Sequence, residues 1–123
     1  MSTANCSGLQ IVADRLRKTE FSIGIGEADC DSVTLASNDN VRVKIGRVGD
    51  TPLLEIESDA ATANGSSCTA TNPTILVLAQ DDMTFPAAIY DIEVAIVDVS
   101  EDAIKKAERG ILIVRDSMGG PVT

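Results

Sequence analysis

Ala88-Ile89-Tyr90-Asp91-Ile92-Glu93-Val94-Ala95-Ile96 is the stretch on which the fold turns. Successive side chains of a pleated strand point to opposite faces, so Tyr90, Ile92, Val94 and Ile96 fall on one side and Asp91 and Glu93 on the other. One face is set for a core and the other for water. Val41-Arg42-Val43-Lys44-Ile45 repeats the pattern, and Phe21-Ser22-Ile23-Gly24-Ile25 and Leu54-Glu55-Ile56-Glu57 carry shorter versions of it. Leu9-Gln10-Ile11-Val12 is a weaker first strand. Thr74-Ile75-Leu76-Val77-Leu78 and Ile111-Leu112-Ile113-Val114 are apolar throughout, which predicts strands covered on both faces or packed in a subunit interface.

Turn-forming residues separate these runs at Ser37 to Asn40, Gly46 to Pro52, Ser58 to Pro73 and Met118 to Pro121. About seven short strands punctuated in this way indicate an all-β chain, an antiparallel sandwich or small barrel, built as one domain over residues 1–123. There is no internal repeat and no interdomain linker. Residues 58–73 form a long loop of small polar residues without periodicity, with short tails expected at both chain ends. Loops of that kind are candidate contact arms, and Asn64, Ser66 and Thr69 are its candidate contact residues.

Composition narrows the chemistry. The chain has 123 residues, 44% of them apolar, but aromatics reach only 2%: Phe21, Phe85 and Tyr90. The core must be aliphatic. With no histidine, the commonest general acid/base and zinc ligand is missing, and no G-x-S-x-G or S-x-x-K arrangement offers an activated serine. The expectation is a non-enzyme with no catalytic residues, cofactor or metal. Nineteen acids against ten bases leave a net charge of -9, which opposes nucleic acid and anionic membranes, so other proteins are the expected partners.

No window is apolar enough to span a bilayer, and the amino terminus lacks the charged and apolar regions of a signal peptide, so synthesis in a cytoplasm is expected. Cys6, Cys30 and Cys68 form no C-x-x-C pair. They read as thiols that pack or sit at interfaces, with a Cys30–Cys68 bridge as the alternative. Asn5-Cys6-Ser7 and Asn64-Gly65-Ser66 match the glycosylation pattern by chance on this reading.

Other motifs carry weaker signals. Glu27, Asp29, Asp31 and Asp39 supply hard oxygens, but not at the spacing of a calcium loop, and a solvated acidic loop is the plainer reading. Asp81-Asp82 reads as the start of a short turn whose acids accept backbone N–H groups, rather than as a catalytic pair. Gly24-Ile25-Gly26 is followed by acids where a phosphate would lie. Lys105, Lys106 and Arg109 are the densest basic patch, either a solvated face or a docking patch for another acidic subunit. They complete the set of candidate protein contacts. Ser100 to Gly110 has an N-cap serine, early acids, later bases and a closing glycine, all helix signals, yet it lies between two strong strands and could equally close a hairpin.

From Thr74 to Gly120 the order is Thr74-Ile75-Leu76-Val77-Leu78, then Asp81-Asp82-Met83, Pro86, the Tyr90 strand, Asp98, and Gly110-Ile111-Leu112-Ile113-Val114. This resembles the closing half of immunoglobulin-like domains in phage virion proteins and is similar to the amino-terminal domain of the baseplate upper protein family. Tyr90 resembles a tyrosine corner. Ala13 and Ala88 stand where that family usually has glycines. The resemblance implies an immunoglobulin-like antiparallel β-sandwich, a hairpin or an elaborated connection rather than an independent helix across residues 100–110, and a virion location. It also implies a multicopy structural part bound to other virion proteins, either a tail, baseplate or fibre-attachment adaptor or a capsid decoration protein. A small ligand- or carbohydrate-binding module is the remaining reading.

Overall fold

A computed structural model describes residues 9–25 and 34–116. Eight strands follow in order: β1 (Leu9–Asp14), β2 (Thr19–Ile23), β3 (Asp39–Gly46), β4 (Leu54–Glu57), β5 (Ser67–Cys68), β6 (Thr74–Leu78), β7 (Ala88–Asp98) and β8 (Ala103–Arg115). They make a five-stranded sheet, β1-β8-β7-β3-β4, and a three-stranded sheet, β2-β6-β5. In immunoglobulin terms β2-β6-β5 correspond to strands B, E and D, and β8-β7-β3-β4 to strands G, F, C and C′. The expected sandwich is therefore the fold. One pair departs from the antiparallel expectation, since β1 runs parallel to β8 with Leu9 opposite Gly110 and Asp14 opposite Arg115.

The alternation read from the sequence is the alternation of burial. Val41, Val43 and Ile45 from β3 and Tyr90, Ile92, Val94 and Ile96 from β7 face inward, meeting Ile23, Leu76, Leu78 and Cys68 of the opposing sheet. Met83 and Phe85 close one end of this aliphatic core. The two continuously apolar runs are covered on only one face by the described residues. In β6, Thr74, Leu76 and Leu78 are buried while Ile75 and Val77 are half-buried, and in β8 the same holds for Leu112 and Val114 against Ile111 and Ile113.

Residues 100–110 belong to a hairpin. Asp98 Oδ1 accepts from the Ser100 N–H at 3.0 Å and from its hydroxyl at 2.7 Å, so the serine that a helix would need as its cap is spent on the turn. Asp102 completes the turn with φ 50°, a conformation that short polar side chains tolerate. Gly110, whose position suggested a helix end, serves another purpose. A Cβ at that position would overlap the Leu9 carbonyl, so the close approach of β1 to β8 requires glycine there.

The connection from β6 to β7 contains a single 3-10 turn, Gln80–Asp82. The backbone N–H of Leu16 reaches the Met83 carbonyl at 2.7 Å and Arg15 Nε the Phe85 carbonyl at 2.9 Å, while the Tyr90 hydroxyl donates to the Pro86 carbonyl at 2.6 Å. This is the tyrosine corner, reinforced by a tilted Phe85–Tyr90 ring contact with centroids 5.4 Å apart. No helix among the described residues is long and apolar enough to cross a membrane.

Candidate interaction surface

Residues 58–73, expected as an open contact arm, are folded back against the sandwich. They hold the short strand β5 and close on Asp82. Thr62 Oγ1 and Asn64 Nδ2 donate to that carboxylate at 2.6 and 2.9 Å, and the Ser66 hydroxyl donates to it as well. Ser66 Oγ also accepts from the Ala79 N–H at 2.8 Å, and Ser66 is fully buried. Two of the three candidate contacts in this loop thus act as a latch, and Ser66 offers no surface to a partner. Several of the small polar side chains that suggested a contact arm serve instead to satisfy one carboxylate. Burial alone would raise the Asp82 pKa, but the bonds from Ser66, Thr62 and Asn64 outweigh it and hold the group below the ordinary aspartate value. Asp82 therefore looks toward the loop, not into its own turn as the sequence suggested. Thr69 is exposed, and its hydroxyl accepts from the Ile75 N–H at 2.8 Å and meets Thr71 Oγ1 at 2.7 Å.

The basic residues of β8 are likewise engaged. Lys105 is the extra residue of a bulge, where the partners of Ile96 and Val97 skip from Lys106 to Ile104. The bulge aims its ammonium at Asp39, 3.1 Å away, whose carboxylate is buried and also accepts from the Ala36 N–H at 2.7 Å. That backbone bond holds the Asp39 pKa down against desolvation, with Lys105 assisting. Arg109 pairs with Glu93 at 2.8 Å, and Lys106 is half-buried with a partner of its own. Asp39 is thus a structural acid, while Glu27, Asp29 and Asp31 lie outside the described residues, as do Cys6 and Cys30 and with them the suggested Cys30–Cys68 bridge. The Cys68 thiol is buried and faces the Val41 carbonyl at 3.5 Å.

Among the described residues, an open apolar surface lies on the outer face of the five-stranded sheet. Pairing sets Val12, Ile113 and Ile89 side by side across β1, β8 and β7, with Ile111 in the next row between Gln10 and Asp91. Ile89 is 59% exposed and Val12 39%. On one side this apolar strip ends at the Arg115–Asp14 pair at 2.7 Å. On the other lie Arg109–Glu93, Lys44–Glu55 at 4.0 Å and Arg42–Glu57 at 2.9 Å. A groove of about 320 Å³ borders the strip where the β3–β4 turn overhangs Asp91. The run Ile111–Val114 hinted at an interface, but Val12 and Ile89 join it only through strand register, which the sequence does not show. Comparison with protein-family models, with curated proteins and with solved structures returns no match.

Proposed function

We propose that this chain is a non-enzymatic structural protein of a bacteriophage particle, a tail, baseplate or fibre-attachment adaptor made in the host cytoplasm and incorporated in several copies. The observation that carries its role as an interaction module is the broad outer face of the five-stranded sheet, with its apolar strip open between paired charges. The phage placement rests on the sequence resemblance over residues 74–120, and a fold alone does not assign function. Proteins without histidine lack the usual proton-transfer group near neutral pH, which favours a structural part over a hydrolase. A carbohydrate module is disfavoured because Phe85 and Tyr90 are buried and Phe21 is half-buried, leaving no aromatic platform for a sugar.

Mass spectrometry of purified particles, with heads and tails separated, tests the placement. Recovery with tails supports the adaptor reading, recovery with heads replaces it by capsid decoration, and absence from both fractions overturns the virion assignment.

A further inference from the structure

We infer that the outer face of the five-stranded sheet is where a second copy of this chain docks, sheet against sheet, across the strip formed by Val12, Ile89, Ile111 and Ile113. The inference names the partner behind the multicopy part of the proposed function and stands apart from the particle in which the copies are used.

Four aliphatic side chains from three strands lie in two adjacent rows, and two of them are well exposed. A face five strands wide and about seven residues long measures roughly 20–25 Å each way. Side-chain relief brings its accessible area toward the roughly 800 Å² per partner of an ordinary interface.

Charge selects the occupant. The chain carries -9, so two copies repel through most of their surface. Among the described residues, four cations on this face are matched by four carboxylates in ion pairs, and Asp91 is the one further acid beside the strip. Four of the ten bases are gathered here, leaving a local charge near zero. A basic partner would be drawn to the acidic remainder of the molecule; an acidic one, which a second copy is, meets least opposition here. A two-fold arrangement also sets apolar strip on apolar strip without a second specialised surface.

Sedimentation equilibrium of the full chain, from micromolar to sub-millimolar concentration, tests this. The expected result is a monomer–dimer equilibrium that tightens as salt is added, because screening removes the repulsion between the acidic remainders and costs the apolar contact little. Ile89→Glu is expected to weaken the dimer about tenfold or more while leaving the urea unfolding midpoint near that of the parent chain, since this side chain is largely exposed. Ile113→Glu should act in the same direction, and Val99→Glu, in the exposed turn between β7 and β8, should leave the dimer intact. A chain that stays monomeric at all concentrations, a dimer indifferent to Ile89→Glu, or one loosened by salt overturns the inference. None of these outcomes touches the particle fractionation, so failure here and failure of the virion reading are separable.

Discussion

Gly110 shows how much one missing Cβ decides. Its backbone lies against Leu9 so closely that any side chain would overlap the Leu9 carbonyl, and among the described strands β1 joins the sheet only through β8. Gly110→Ala is expected to destabilise the protein by about 1–3 kcal/mol in urea unfolding, the cost of forced overpacking. Hydrogen-exchange protection should disappear first from the β1 amides. Cys68 makes a second residue-scale case. Burial, helped by the nearby charges of Glu57 and Asp59, pushes its thiol up to about 11. At pH 8 the Cys68 peptide is expected to resist alkylation in the native protein and to react on denaturation, as site-resolved mass spectrometry would show; equal labelling in both states contradicts the burial. A raised pKa favours the folded state below the unfolded value of about 9, so this contribution is lost as pH rises from about 9 toward 11.

At the level of elements, two connections are held by side-chain bonds in addition to the backbone. The corner before β7 depends on the Tyr90 hydroxyl and the Pro86 carbonyl. Tyr90→Phe keeps the packing against Phe85 and removes only that bond, so a loss of about 1 kcal/mol is expected, read from the shift in urea midpoint at unchanged slope. Residues 58–73 depend on Asp82. Asp82→Asn leaves donors facing a weaker acceptor and should cost on the order of 2 kcal/mol at neutral pH. The hairpin from β7 to β8 is a different lesson, because the helix signals in Ser100 to Gly110 were real but local. Eleven paired positions along β7 and the capture of Ser100 by Asp98 outweigh a two-turn helix, which is marginal without packing.

For the whole molecule, the distribution of charge is what the fold arranges. Asp39 and Asp82 both titrate below the ordinary aspartate value of 3.8, so each stabilises the fold fully above that pH, and the contribution is lost as pH falls through the folded value. Stability is therefore expected to hold from neutral pH down to about 4 and to fall below it. The gap between the parent chain and Asp82→Asn should narrow as pH falls below about 4, and a gap that does not narrow in acid would refute the linkage. The sequence by itself determined the strand alternation and the aliphatic core and narrowed the fold to an antiparallel sandwich or small barrel, because these follow from period-two patterning and turn spacing, while the sandwich and the tyrosine corner were implied by the resemblance over residues 74–120. It also determined the acidic charge and the lack of histidine, which limit the chemistry. Only the tertiary structure decided that Asn64 and Ser66 serve Asp82, that Lys105 serves Asp39, and that β1 lies parallel to β8. It alone brought Val12, Ile89 and Ile113 into one row. Each of those facts depends on register or on contacts between residues distant in the chain, and periodicity carries no record of which strand will be a neighbour.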